Sequence, residues 1–381
     1  MKKFIAALCL TLLSACQAGP VSPMPDPTRV PSTPTPRATS TRLPSATPRP
    51  TDAPPTLAPS PTPTTSIRLL FTGDINPGRC PAEIALQFND FTLPYQVLSE
   101  TFRSADILIG SLDGSLSDLD RPTRCHDVDN QNLIGPTRTV EGLAYAGFDV
   151  MTVATNHVKN CGRVSWTCDN RAFFDTLHTL STAGVRPVGG GATLAEARQP
   201  VIIERHGVRF AFLAVNAIYD KDIWATATTA GTAPLTAEAF PQVLEDIRAA
   251  RQTAEVVIVL PQWGVEYAPD PTEEQWEWAG AMIDAGATLV IGNQPHQVQA
   301  VETFPSGVVA YALGNLVFDQ ATLWTKEGVL FEATFEGSNL TNWQLLPIRI
   351  FKQHQPAWPP PHEAEAILKR IKEATDRLPK R

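Results

Sequence analysis

Asp74, Asp113, Asn156, His157, Glu266 and His296 all stand where apolar runs of the sequence stop. The two aspartates are hard oxygen donors, and the two histidines bring imidazole nitrogens. Asn156 can ligate through its amide oxygen or hold an oxyanion. Such a mixture suits one or two divalent ions, which activate water and polarise a phosphoryl or acyl oxygen. On this reading Asp74, Asp113, Asn156, His157 and His296 are metal ligands. Asn156, His157 and Glu266 are catalytic, with Glu266 a general base or a partner behind the ligands. Trp263 and Asn315 are candidate substrate-binding residues. Each has an ordinary alternative. An Asp after a strand is often a turn or cap, and a loop His is often solvated. Glu266 can be a solvated loop acid, Asp319 a cap or salt-bridge partner, Trp263 packing beneath the site and Asn315 a strand-closing residue. Gly189-Gly190-Gly191 lacks the Lys-Ser/Thr of a phosphate loop and reads as a tight turn.

Those side chains need a scaffold that ends strands at one edge. Apolar runs at Ile67 to Thr72, Ala105 to Ser111, Val150 to Ala154, Val256 to Leu260 and Thr288 to Ile291 each lead into one of the polar positions. Helical periodicity falls over Thr137 to Ala146, Arg171 to Ala183, Phe240 to Thr253, Thr272 to Ala285 and Glu363 to Arg377. Strands alternating with helices give an α/β layered fold whose ligands sit past the strand ends.

The motifs occur in a fixed order: Phe71-Thr72-Gly73-Asp74-Ile75, Gly110-Ser111-Leu112-Asp113-Gly114, Ala154-Thr155-Asn156-His157, Gln262-Trp263-Gly264-Val265-Glu266-Tyr267, Ile291-Gly292-Asn293-Gln294-Pro295-His296, and Tyr311-Ala312-Leu313-Gly314-Asn315-Leu316-Val317-Phe318-Asp319-Gln320. In this order they resemble the CapA family of capsule-synthesis proteins linked to poly-γ-glutamate, over about residues 67 to 335. The resemblance implies a metallophosphatase-like β-sandwich flanked by helices, with a metal site at the strand ends. It also implies work on a surface polymer, as a metal-dependent hydrolase or acyl transferase or as a non-catalytic binding protein. The chain departs from the family where Asp113 replaces a Glu and where Gln262, Asn293 and Gln294 replace histidines. Amides are poor ligands for zinc-like ions. A single harder ion, Mn²⁺, Mg²⁺ or Ca²⁺, or none, therefore fits better than a tight dinuclear pair.

The N-terminus predicts where this happens. Lys2-Lys3, the apolar run Phe4 to Leu13 and Leu13-Ser14-Ala15-Cys16 resemble a lipoprotein signal, with Cys16 the lipidation site; the alternative is an ordinary signal peptide. Residues 17–66 are rich in Pro and Thr and read as a disordered stalk, reaching roughly 150 Å if fully extended. The expected organisation is residues 1–16 signal and lipobox, 17–66 stalk, 67–352 the folded domain, and 353–381 a linker and helix. The protein is expected outside the cell membrane, held by a lipid, with an extracellular anionic polymer such as poly-γ-glutamate as its partner. A net charge of -8 excludes a nucleic-acid footprint. Cys80, Cys125, Cys161 and Cys168 suggest two disulfides in an exported protein, and no CxxC pair favours a thiolate metal site. Three pairings are possible; Cys161 with Cys168 closes a small loop and leaves Cys80 with Cys125.

Overall fold

Strand β1, Ser66–Ile75, is buried along nearly its whole length, because its alternate side chains enter two different apolar layers. Ile67, Leu69 and Phe71 face one layer and Leu70 the other. The same alternation appears in β2 (Ile107–Leu112) and, in a second sheet, in β7 (Val256–Gln262). There Val256, Ile258 and Leu260 point one way and Val257 and Val259 the other. Strands buried on both faces must be covered by another sheet or by helices. The computed structural model describes residues 66–119, 124–125, 131–161, 168–219 and 222–381. These lie within the unit Pro61–Arg381. The expected signal, Cys16 and the stalk through residue 65 lie outside the described residues.

The first sheet has eight strands. Besides β1 and β2 it contains β3 (Val150–Thr152), β4 (Arg186–Val188), β11 (Asn315–Val317), β12 (Glu327–Glu336), β13 (Asn339–Phe351) and β14 (Gln355–Ala357). Their order is β14-β13-β12-β1-β2-β3-β4, with β11 pairing onto the end of β1. The second sheet has six strands: β5 (Val201–Arg205), β6 (Val208–Asn216), β7, β8 (Leu289–Ile291), β9 (Val301–Phe304) and β10 (Gly307–Ala310), in the order β9-β10-β8-β7-β6-β5. The strands that end in site residues, β1, β2, β3, β7 and β8, run parallel to their neighbours in this set.

One apolar cluster fills the space between the sheets, with Phe210 edge-on to Phe335 across it at 5.4 Å. Helices α2 (Thr139–Ala146) and α3 (Arg171–Thr182) cover the outer face of the first sheet through Leu143, Phe173 and Leu180. Helices α4 (Phe240–Arg251) and α5 (Glu273–Asp284) cover the second through Val243, Ile247, Met282 and Ile283. The result is the expected β-sandwich flanked by helices, in four layers. The closing helix α6 (Pro361–Asp376) places Ile367 and Ile371 in the inter-sheet cluster.

Helix α1, Arg79–Phe88, has no counterpart in the sequence reading. Its N-cap residue Gly78 makes no side-chain cap bond, and the Cys80 N–H is taken instead by distant Asp319, so no local N-cap signal marks its start. Helix α5 shows the opposite case. Thr272 accepts from Gln275 N at 3.1 Å, and Gln275 Oε1 accepts from Thr272 N at 2.9 Å. Thr272→Ala removes half of this capping box and is expected to lower stability by about 1 kcal/mol, read as a shift of the urea midpoint.

Cys80 and Cys125 form a disulfide. Cys161 is disulfide-bonded as well; the Cys168 side chain lies outside the described residues, and with it the expected Cys161–Cys168 pairing.

Candidate functional site

Asp74 owes its position to an irregular strand end. Pairing of β1 with β11 shifts register between Asp74 and Ile75, and pairing with β2 shifts between Phe71 and Asp74. Such irregularities re-aim one side chain out of the ladder. Asp74 is fully buried. Ser111 Oγ donates to its Oδ1 at 2.7 Å, and the backbone N–H of Gln294 donates to its Oδ2 at 3.2 Å. His296 Nδ1 lies 3.6 Å from the same Oδ2. Asp113 follows β2, its N–H bonded to Ile75 O at 2.9 Å, and its carboxylate is also fully buried. Neither Asp113 oxygen has a hydrogen-bond partner of good geometry; the neighbouring Thr155 hydroxyl, close enough to favour the charged carboxylate, donates to Leu112 O at 3.1 Å. Asn156 Oδ1 and Asn293 Oδ1 are likewise buried without partners.

The two imidazoles are held by amides. Asn160 Oδ1 meets His157 Nδ1 at 2.8 Å and also accepts from Leu133 N at 2.9 Å. Asn315 Oδ1 meets His296 Nδ1 at 2.9 Å. Its Nδ2 donates to Thr325 O at 2.8 Å and Gln320 Oε1 at 3.0 Å, which fixes the amide so that its oxygen faces the ring. An oxygen acceptor at Nδ1 places the ring proton there and the lone pair on Nε2, the usual arrangement for a ligating or proton-accepting His.

Burial governs the charges. It pushes Asp113 up to about 7, with Arg79 opposing and Glu266 adding. Asp74 is raised well above the ordinary carboxylate range, first by burial and then by Asp113. Burial also lowers His296 to about 4, against the hydrogen bond that its Nδ1–H donates to Asn315 and the charge of Glu266, so this ring is neutral at neutral pH.

His157 and His296 line, with Asn156, a cleft of about 390 Å³ whose wall also includes Arg79, Glu266 and Tyr267; Asp74 and Asp113 are fully buried and are not part of that wall. Arg79 (φ 47°), Tyr267 (φ 61°), Gln294 (φ 104°) and His296 (φ 56°) all line it with left-handed backbones. Non-glycine residues in that region carry strain, and such strain gathers at functional sites. Glu266 stands on the rim with half its side chain exposed, its Oε1 3.9 Å from His296 Nε2.

Two expected substrate-binding residues are not on that wall. Trp263 is fully buried, stacked on Tyr311, and donates from Nε1 to Tyr311 O at 2.9 Å; it packs beneath the site. Asn315 is fully buried too, and its amide orients His296. Asp319 binds Arg79 and caps the start of α1 through Cys80 N at 3.2 Å. Gln262 and Gln294 bond to each other, Nε2 to Oε1 at 2.9 Å. Among the described residues no three His, Cys, Asp or Glu side chains form a ready-made metal cage. The unpartnered oxygens here belong to one carboxylate and two amides. Sequence reasoning missed Ser111, Asn160 and Arg79; the Gly73-Asp74-Ile75-Asn76-Pro77-Gly78-Arg79 run gave no periodic or capping signal to find the last.

Residues 68–320 match the family described as Bacterial capsule synthesis protein PGA_cap. The chain is 27% identical over 309 residues to the PGA biosynthesis protein CapA of Bacillus subtilis (strain 168), covering 80% of this chain and 77% of that one. It is 26% identical over 286 residues to the capsule biosynthesis protein CapA of Bacillus anthracis, covering 74% and 67%. Among solved structures it aligns with a putative 5'-nucleotidase from Staphylococcus aureus at a TM-score of 0.47 and 12% identity, over 81% of this chain and 58% of that one. At that score nothing about activity passes from one to the other.

Proposed function

Because this chain belongs to the bacterial capsule synthesis protein family PGA_cap, we propose that it acts in the synthesis, export or anchoring of an anionic surface polymer of the poly-γ-glutamate kind. The names of its Bacillus relatives support the polymer class. Its place, on this reading, is the outer side of the cell membrane, with a lipid on Cys16 and residues 17–66 as a stalk. None of the helices among the described residues is long and apolar enough to cross a membrane.

We further propose that the cleft is a metal-dependent hydrolase or acyl-transferase site. The observation that carries this is the set of buried oxygens without a donor: both of Asp113, Oδ1 of Asn156 and Oδ1 of Asn293. A buried acceptor with no proton to accept is strongly disfavoured, and a bound cation is a group that would satisfy such oxygens. Asp74, Asp113, Asn156, His157 and His296 would hold it, with Asn293 Oδ1 beside them. The donor set is mostly oxygen, which fits one Mn²⁺, Mg²⁺ or Ca²⁺ better than a tight zinc pair. When bound, such an ion polarises an acyl or phosphoryl oxygen and acidifies a water. The chain's own part is positional. Asn315 orients the His296 ring with Nε2 toward the cleft, Asn160 orients His157 in the same way, and Glu266 on the rim takes up a proton. Elemental analysis of the purified protein is expected to give one ion per chain; two tightly held transition ions sink the single-ion reading. In Mn²⁺, turnover of a γ-glutamyl oligomer or a model phosphodiester is expected, falling about 100-fold or more in His157→Ala and His296→Ala.

The second reading, a polymer-binding protein without catalysis, is favoured by the Gln262–Gln294 bond, which withdraws two side chains from ligation. Saturable polymer binding without turnover, unchanged in both histidine variants, selects it.

A further inference from the structure

We infer that Arg79 receives an oxyanion group of the substrate, a carboxylate or a phosphate, at the cleft wall. The inference rests on the polymer reading for its first substrate class. Among the described residues lining the cleft, Arg79 is the one permanent cation. Its wall neighbours include Glu266, which repels an anionic chain, so an anionic substrate needs a cation at this point to enter.

The local structure is built to hold this side chain in place. Arg79 adopts φ 47°, a strained backbone for an arginine. Asp319 holds it there. Its Oδ1 takes Arg79 Nη2 at 2.5 Å and Asn76 Nδ2 at 3.4 Å, and its Oδ2 takes the Cys80 backbone N–H at 3.2 Å. The next residue, Cys80, is locked to Cys125 by the disulfide. Phe318 lies under the guanidinium, 5.4 Å from ring centre to Cζ.

A plain structural ion pair with Asp319 is the simpler account, but it leaves two facts aside. The Arg79 side chain is only 12% exposed, yet its Nε is buried with no partner. A guanidinium presents five N–H donors in a rigid fork, and the Asp319 bond engages Nη2 alone. The rest of the fork is the geometry that recognises a carboxylate or phosphate with paired bonds. Asp319, Phe318 and the disulfide are then positioning groups that orient it.

The test compares binding of two γ-glutamyl oligomers, one with free α-carboxylates and one with α-carboxamides, and of a model phosphodiester, by calorimetry on the full chain in Mn²⁺. Wild-type protein is expected to prefer the acid oligomer. Arg79→Met is expected to weaken it about 10- to 100-fold and leave the amide form unchanged, with Arg79→Lys between them. Cys125→Ser, which keeps the guanidinium but frees its anchor, is expected to weaken the acid oligomer alone by a smaller factor and guards against a folding defect in Arg79→Met. If Arg79→Met weakens both oligomers equally, or neither, the role is structural and the inference fails. If wild type holds only the phosphodiester, and Arg79→Met releases it, the polymer reading fails and the inference stands with phosphate as the anion. Wild type that holds none of the three overturns both.

Discussion

Free of divalent ions at pH 8, Asp113→Asn protein is expected to be more stable than wild type by about 2 kcal/mol, and to gain no stability from Mn²⁺. The sign follows from burial. Asp113 is fully buried with no hydrogen-bond partner, and burial holds its folded pKa at about 7. In the unfolded chain the same carboxyl titrates near 4. The folded state therefore holds the proton more tightly, and ion-free stability falls as pH rises from about 4 through about 7. A gap of about three pH units is worth about 4 kcal/mol above pH 7. The asparagine amide stays buried without partners, which offsets about 1–3 kcal/mol of the gain. His296 acts in the opposite sense. Its folded pKa is lowered to about 4, so its contribution is lost as pH falls from about 6.5 toward 4. His296 opposes Asp113 in wild type, whereas Asp74, also raised by burial, adds to the loss of ion-free stability as pH rises. The variant loses the Asp113 slope and keeps those of His296 and the buried Asp74, so its advantage over wild type grows by about 3 kcal/mol between pH 5 and pH 8. Urea melts in EDTA at pH 5, 6.5 and 8 measure that difference. A difference that does not change with pH, or a variant that Mn²⁺ stabilises as much as it does wild type, refutes the buried-carboxylate ion site.

Asp113 illustrates what the sequence can reveal. The apolar runs of β1, β2, β3, β7 and β8 end a few residues before Asp74, Asp113, Asn156, Glu266 and His296, and alternation alone fixes that edge. Helices α2 to α6 carry regular apolar spacing and were likewise legible. The roles of individual side chains were not, because they depend on contacts between distant segments. Trp263 turns inward because Gly292 leaves room for its indole: a Cβ there would lie 2.3 Å from Trp263 Nε1. Asn315 becomes a histidine orienter because β11 pairs with the end of β1 and brings it to His296. Gln262 and Gln294 look like two separate losses of imidazole along the chain. In space they form one matched amide pair. Arg79 went unread because helix α1 starts on a left-handed residue with no capping side chain at Gly78, and its first turn is capped from a distant segment by Asp319.

Gly73→Ala is expected to destabilise the protein by about 3 kcal/mol or more and to abolish ion uptake in whatever fraction still folds. Gly73 precedes Asp74 in β1, and its Cα faces the backbone of Gly314. An added Cβ would lie 2.0 Å from Gly314 O and 2.7 Å from Gly314 C. Both are main-chain atoms that no rotamer change can move, so the strands must separate. The same carbonyl accepts from Asp74 N at 3.0 Å, and two residues on Asn76 N bonds to Val317 O at 2.8 Å. Parting β1 from β11 breaks this ladder and shifts Asn315 away from His296. Overpacking of a close contact costs about 1–3 kcal/mol, and lost ladder bonds add to it. Gly207 provides the control. It has φ 79° with nothing within 4 Å of an added Cβ, so Gly207→Ala meets only the left-handed backbone penalty of about 1–2 kcal/mol. Urea midpoints for the two variants, with Mn²⁺ content by elemental analysis, separate steric exclusion from generic glycine loss. If Gly73→Ala loses no more stability than Gly207→Ala and keeps its ion, then the tight β1–β11 contact is not what aims Asp74 and, through Asn315, His296.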